Sequence, residues 1–327
     1  MGSVMQKIVA TQFNGYKGLK QEEMEKPKGT HDRVLVRVKA AGVTALDHTI
    51  LVGNHPRAKA PLVLGNEGAG VVEDPANSRF KVGSRVAFTG VYGVAENGSW
   101  QDYALIRAGD LLPIPHEIDD ALAASLPVAY LTAHLALNDA LFSPGKSVFT
   151  TAVGGSVGNA TYQLARALGA SAIIATAGSF GKAARARDLG YDNVIDLSTQ
   201  GVADGVGLLT DGKGVDIAIE SLGGRFIGEA LRALSVSGRL IAIGYTAGLE
   251  SSINVTDLIW KRANVSGFAL VTQTPEVKLA AWNEITKLIV SGAISPIVDR
   301  LYPITEAAEA LRYLNEERPF GKVVLEL

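Results

Sequence analysis

The residues with the clearest chemical meaning form a run of small side chains, Ala152-Val153-Gly154-Gly155-Ser156-Val157-Gly158. The run closes an apolar stretch, Ser147 to Val153, and opens a segment in which Val157, Ala160, Thr161, Leu164, Ala165 and Leu168 recur on one helical face. Strand, glycine turn and amphipathic helix in that order make a phosphate cradle. A missing Cβ lets the backbone approach a pyrophosphate, and the helix N-terminus supplies N–H groups and a favourable dipole. The spacing Gly155-x-x-Gly158 is a shortened dinucleotide fingerprint, with Ala152 where the first glycine usually stands. Alone it would be an ordinary turn; the series of strand–helix units that it begins argues for nucleotide binding.

The end of the next strand separates the nucleotides. NAD sites usually carry an acid there, roughly 20 residues on, to hold a ribose hydroxyl. This chain has Ala175-Thr176-Ala177-Gly178-Ser179 with no acid, then Lys182 and Arg185. Cations without a carboxylate suit a 2′-phosphate and point to NADP(H), although a solvated cationic helix face has the same pattern.

The elements that must position these residues follow from period and punctuation. Before Pro127 the chain reads as short strands and turns, such as Val34 to Val38, Gly70 to Glu73 and Arg85 to Phe88, a pattern of sandwiches and partial barrels. From Lys146 buried strands (Ala172 to Ala177, Val194-Ile195, Val215 to Ile219, Arg239 to Ile243, Val265 to Leu270) alternate with helices, which implies a doubly wound parallel sheet. Helices over Glu276 to Val290 and Thr305 to Leu314 and a strand over Lys322 to Glu326 close the chain. The parallel sheet is therefore inserted between two parts of another domain.

Composition narrows the function classes. Lys+Arg minus Asp+Glu is 31 − 33 = −2, so no basic surplus exists for a nucleic-acid backbone. Cysteine is absent, which excludes disulfides, thiolate metal sites and cysteine nucleophiles. The apolar stretch Leu122 to Leu137 is interrupted by Pro127 and His134 and falls short of the ~18 uninterrupted apolar residues of a membrane span. The N-terminus lacks a signal-like apolar run; Met5 is the expected native start, with an added leader before it, and the expected location is cytoplasmic.

These residues, with Ala40-Ala41-Gly42-Val43, Asp47 and Gly65-Asn66-Glu67-Gly68-Ala69-Gly70 before them, resemble the medium-chain dehydrogenase/reductase superfamily. The resemblance runs end to end, through Thr132-Ala133, Gly214-Val215-Asp216, Gly238-Arg239 and Gly321-Lys322, and is nearest to the zinc-free quinone oxidoreductase branch, related to zeta-crystallin and enoyl reductases. It implies an α/β fold: a GroES-like β-rich catalytic domain from residues 1–126 and 271–327, a Rossmann doubly wound parallel-sheet cofactor domain over 127–270, and a cleft at their junction. Zinc-dependent members use a Cys after the first Gly-Val and a Gly-His-Glu; here those positions are Thr44 and Asn66. The five histidines (His31, His48, His55, His116, His134) show no paired spacing, so a metal-free mechanism is expected.

The cleft motif of the branch, Gly-Val-Asn-x-x-Asp with a later Tyr-Pro, becomes Gly42-Val43-Thr44-Ala45-Leu46-Asp47 and His55-Pro56. Thr44 offers a hydroxyl donor for a carbonyl or a ribose. Asp47 is kept, and also reads as a helix cap. His55 takes the place of a proposed proton donor, and equally reads as a surface-loop histidine. Tyr92, in Gly90-Val91-Tyr92-Gly93, is a candidate for the substrate wall or for the β-domain core. On the cofactor side the resemblance implies Thr132 near the nicotinamide, Gly155, Ser156, Val157 and Gly158 at the pyrophosphate, and Gly178, Ser179 and Lys182 at the 2′-phosphate. It adds Ser221, Gly244, Tyr245, Phe268, Ala269 and Lys322 along the cofactor edge. A tyrosine of the relatives is Leu197 here, which removes one adenine-side contact.

The expected activity is hydride transfer from NADPH to a quinone or to the C=C of an α,β-unsaturated carbonyl. Carbonyl or alcohol oxidoreduction, and NADPH binding with little catalysis, stay open as alternatives. The expected partners are a small-molecule quinone or enone and a second copy of the chain, through an apolar edge strand at Ala263 to Leu270, with no nucleic acid and no membrane.

Overall fold

The computed structural model describes residues 4–327; residues 1–3, most of the expected leader, lie outside the described residues. Packing divides the chain into two units. The first runs up to Val128 and takes up Val271–Val290 and Ile297–Leu327; the second comprises Ala129–Leu270 and Ser291–Pro296.

The first unit is β-rich. Its strands β1 (Val4–Ala10), β2 (Leu19–Glu25) and β3 (Arg33–Val43) precede helix α1 (Ala45–Leu51). There follow β4 (Leu62–Val63), β5 (Glu67–Asp74), β6 (Arg85–Thr89), β7 (Tyr103–Arg107), β8 (Leu111–Pro113) and α2 (Asp120–Ser125). Helix α3 (Pro127–Asp139) leads into the second unit.

That unit alternates strand and helix: β9 (Ser147–Thr150), α4 (Ser156–Ala167), β10 (Ala172–Ala177), α5 (Phe180–Asp188), β11 (Asn193–Asp196) and α6 (Val202–Leu209). It continues with β12 (Val215–Glu220), α7 (Arg225–Ala233), β13 (Leu234–Ala242), α8 (Val255–Lys261) and β14 (Asn264–Gly267). The chain then returns to the first unit through α9 (Pro275–Val290), β15 (Val298–Pro303), α10 (Ala307–Glu316) and β16 (Lys322–Glu326).

In the first unit β15-β16-β3-β5-β6-β8 form one sheet, with β7 also on β3, and β2-β1-β4 form a second. The returning segments are tied in by buried polar contacts. Lys278 of α9 lies 2.7 Å from Asp110, and Trp282 Nε1 donates to Pro113 O at 2.7 Å. Val34, Val36, Val38, Val72, Val86, Phe88 and Ile106 fill one core of this unit.

The second unit's sheet is parallel throughout, in the order β11-β10-β9-β12-β13-β14. The irregular segment Ser291–Pro296 joins it, where Gln163 of α4 donates to Ser295 O and accepts from Ser295 N, at 3.0 and 2.6 Å. The chain leaves β9 towards β10 and leaves β12 towards β13, on opposite sides. The strand order therefore reverses between β9 and β12, which is where open α/β sheets take their ligands.

Candidate functional site

At the reversal point the expected β9 is shorter than its apolar run. It stops at Thr150 because Ala152 turns the chain with φ +54°, a left-handed conformation that an alanine resists. Gly155 is the N-cap of α4, and no side chain covers the first turn, so the N–H groups of Ser156, Val157 and Gly158 are not occupied by a cap. A Cβ on Gly158 would lie 2.3 Å from the carbonyl oxygens of both Thr151 and Ala152; one on Gly155 would stand 3.2 Å from Ala152 O. Gly158 thus lets the helix sit against the turn, while Gly155 keeps the mouth of the cradle open. This arrangement fits a dinucleotide pyrophosphate.

The neighbouring loops converge on the same sheet edge. Ser179 caps α5, accepting from Lys182 N, with Gly178 beside it and the Lys182 side chain half-buried. Leu197 N donates to Ala177 O at 2.9 Å, which brings the loop after β11 against the end of β10. Asp196 lies in register with Ala177. Its carboxylate accepts from Ser198 N and Oγ, which hold it below the usual range. On the other side, a Cβ on Gly244 would lie 2.1 Å from Ser221 O, so the loops after β12 and β13 touch. Tyr245 is 45% exposed; Phe268 is buried, its N–H donating to Ala242 O at 3.0 Å, and Ala269 next to it is exposed. Thr132 is buried on α3.

Glu220, which the sequence reading passed over, ends β12 in full burial. It accepts from Leu222 N, Gly223 N and Thr151 Oγ1, at 2.6, 2.8 and 3.3 Å. Burial pushes its carboxyl up, against those three donors.

In the first unit the expected catalytic residues have different surroundings. Thr44 is the N-cap of α1 and Asp47 its third residue, in a reciprocal capping box. Asp47 Oδ2 accepts from Thr44 N and Thr44 Oγ1 at 2.8 and 2.7 Å, and Oδ1 accepts from Gly65 N at 3.0 Å. The Thr44 proton therefore points at Asp47, and Thr44 keeps lone pairs but no donor for a substrate, contrary to expectation. Asp47 is fully buried, which pushes its carboxyl up to about 6; the hydrogen bonds and Lys322 oppose the shift.

Of its two sequence readings, Tyr92 takes the one in the β-domain core. It is fully buried against Phe88, its hydroxyl donating to Asp110 Oδ2 and accepting from Arg107 N, both at 2.9 Å. His55 sits half-buried in the loop after α1, its Nδ1 accepting from Arg57 N at 3.3 Å. Burial and the Arg57 charge hold it below the ordinary imidazole range. Lys322 is buried and ion-paired with Glu67, so its charge is matched within the first unit.

Comparison with known proteins places the chain. Residues 30–116 match the alcohol dehydrogenase GroES-like domain, and residues 156–288 match the zinc-binding dehydrogenase family. The chain is 30% identical over 329 residues to quinone oxidoreductase of Rattus norvegicus, covering 98% of each. The chain belongs to the quinone oxidoreductase branch of the medium-chain dehydrogenase/reductase superfamily. It is 29% identical over 319 residues to 2-haloacrylate reductase of Burkholderia sp, covering 90% of each. A solved mycobacterial protein complexed with NADPH matches with a TM-score of 0.89 and 28% identity, over 99% of this chain and all of that one.

As a member of this branch the protein is an oxidoreductase of two parts, a GroES-like domain and a Rossmann domain, with a nicotinamide cofactor. One family description speaks of zinc, and the residues here do not fit it. Asn66, at the histidine position, donates both amide protons, to Gly90 O and Tyr92 O at 3.0 and 2.9 Å, and Thr44 is committed to Asp47. Neither presents a lone-pair nitrogen or thiolate to a metal. Among the described residues no helix is long and apolar enough to cross a membrane.

Proposed function

We propose that this quinone oxidoreductase relative is a zinc-independent, NADPH-dependent reductase acting on a quinone or on the C=C of an α,β-unsaturated carbonyl. The observation that carries the reading is the glycine cradle at the strand-order reversal, flanked by the Ser179–Lys182 cap with no acid at the end of β10. That charge pattern favours a 2′-phosphate over a bare ribose. When bound, the cofactor supplies the hydride. The relative named 2-haloacrylate reductase supports an activated alkene as substrate, and the relatives named quinone oxidoreductase support a quinone.

The chain's own residues then orient the partners and exclude water. Gly155 to Gly158 take the pyrophosphate; Thr132, Ser221, Gly244, Tyr245, Phe268 and Ala269 are the remaining cofactor contacts. With the hydroxyl protons of Thr44 and Tyr92 committed elsewhere, His55 is the side-chain donor left from the expected set, acting as an imidazolium on the α-carbon.

We also infer a homodimer formed through β14. All its residues, Asn264 to Gly267, are exposed, and the adjoining α8 exposes Ile259 and Trp260 at 63% and 77%.

Absorbance at 340 nm tests the reading, with NADPH and NADH each offered against 1,4-naphthoquinone, 2-cyclohexenone and a simple ketone. Turnover of NADPH with quinone or enone but not ketone is expected. Turnover with ketones alone overturns the reading.

A further inference from the structure

The ends of β9 and β12 meet in a chain of polar side chains whose proton directions can be worked out. Glu220 accepts backbone N–H groups on both carboxylate oxygens, from Leu222 and Gly223, so it stands as an acceptor. Thr151, without solvent exposure, carries one hydroxyl proton, and its Oγ1 lies 3.3 Å from Glu220 Oε1. Its Oγ1 also accepts from Ser221 N at 2.9 Å and lies 3.1 Å from Ser221 Oγ. If the Thr151 proton goes to the carboxylate, the contact between the two hydroxyls must be made by the Ser221 proton. Ser221 Oγ, on a half-buried residue, then turns only lone pairs outward.

We propose that Glu220 and Thr151 are positioning residues that hold Ser221 Oγ as an acceptor for a ribose hydroxyl of the bound dinucleotide. The inference rests on the cofactor reading above. An oxygen presenting only lone pairs repels a phosphate oxygen and accepts from a donor group, of which the ribose hydroxyls are the O–H donors of a dinucleotide. Breaking the chain at Thr151 releases the Ser221 proton to rotate, so Ser221 Oγ is no longer held as an acceptor.

The test is a double-mutant cycle on NADPH binding, read by fluorescence titration of the full-length protein, with thermal melts of each variant. Ser221→Ala is expected to weaken NADPH about fivefold, the size of one hydrogen bond. Thr151→Val is expected to weaken it by about the same factor alone, and by less than about twofold when Ser221 is already alanine. Thr151→Ser keeps the hydroxyl and is expected to bind within about twofold of the parent. Equal penalties for Thr151→Val in both backgrounds, or failure of Thr151→Ser to restore binding, overturn the inference. So does Ser221→Ala with unchanged affinity, a result that holds whether or not the Thr151 variants fold. A parent protein that melts cooperatively yet binds neither NADPH nor NADH overturns the cofactor reading itself, and the inference with it.

Discussion

Lys322 and Glu67 form an ion pair with both side chains out of solvent, at 5% and 0% exposure. The second oxygen of Glu67 accepts from Val128 N at 2.7 Å, at the start of α3. Room for the carboxylate comes from Gly42, where a Cβ would approach Glu67 Oε1 to 2.5 Å. Removing one partner leaves a buried charge unpaired, which costs about 3–5 kcal/mol. Lys322→Met is therefore expected to lower the melting temperature sharply. Glu67→Gln added to Lys322→Met removes the orphaned charge and is expected to recover much of the loss. No recovery would mean that the charge pairing contributes nothing and that packing alone is at stake.

Asp47 gives a pH dependence of defined sign. Its folded pKa, about 6, stands above the unfolded value of 3.8, so the folded state binds more protons between these values. Stability from this group is present below the unfolded pKa and is lost as pH rises through the folded one, by about 3 kcal/mol in all. Asp47→Asn removes that dependence. In urea unfolding, the stability advantage of the parent over Asp47→Asn is expected to shrink between pH 4.5 and pH 7.5. An advantage that grows with pH would show that the three donors and Lys322 outweigh burial.

Gly158 and Gly181 separate necessary from incidental glycine. A methyl at Gly158 meets two backbone oxygens at 2.3 Å, which cannot yield without moving the turn; at Gly181 it meets nothing within 4 Å. Gly158→Ala is expected to destabilise the second unit and abolish NADPH binding. Gly181→Ala, in the first turn of α5, is expected to be neutral or to stabilise by about 0.5–1 kcal/mol. Thermal melts and NADPH titration of both check this.

How much of this was legible follows from the period of each segment. Helix α4 shows one apolar face and one polar face, and its expected span from Val157 to Leu168 lies close to the observed Ser156–Ala167. Helix α3 is buried along almost its whole length, so its sequence carries no such contrast and only the Pro127 break marked it. At the sites, the glycine loop was readable because backbone approach demands a particular residue. Asp47 as a helix cap and Tyr92 in the β-domain core were among the sequence readings, but their partners were not legible: Asp110 takes the Tyr92 hydroxyl proton, Gly65 N–H reaches the Asp47 carboxylate, and Thr44 turns its proton to Asp47. Glu67 stood in plain view within the Gly65 to Gly70 motif, and Glu220 stood next to Ser221. No sequence rule distinguishes a fully buried carboxylate from a solvated one until the donors around it are known.

Lys182 tests the choice of nucleotide. Placed one turn into α5 behind the Ser179 cap, it is the cation nearest in sequence to Gly178 at the end of β10. Lys182→Glu substitutes a repelling charge for an attracting one. The NADPH/NADH ratio of kcat/KM is expected to fall at least about tenfold, equivalent to 1.4 kcal/mol. An unchanged ratio would send the 2′-phosphate elsewhere.

Tyr92 and His55, both candidate catalytic residues from sequence, make opposite predictions. Tyr92→Phe strips Asp110 Oδ2 of a donor and Arg107 N of an acceptor inside the core. Stability is expected to fall by about 1–3 kcal/mol while kcat holds. His55→Phe removes one long hydrogen bond from a half-buried loop, so the melt is expected to stay in place. If the imidazolium delivers the proton, the parent's kcat rises as pH falls through a value below the ordinary 6.5, because burial and Arg57 both disfavour the charged ring. His55→Phe then lowers kcat and flattens that rise. A full kcat with the same pH profile would remove His55 from the chemistry and leave water as the proton source.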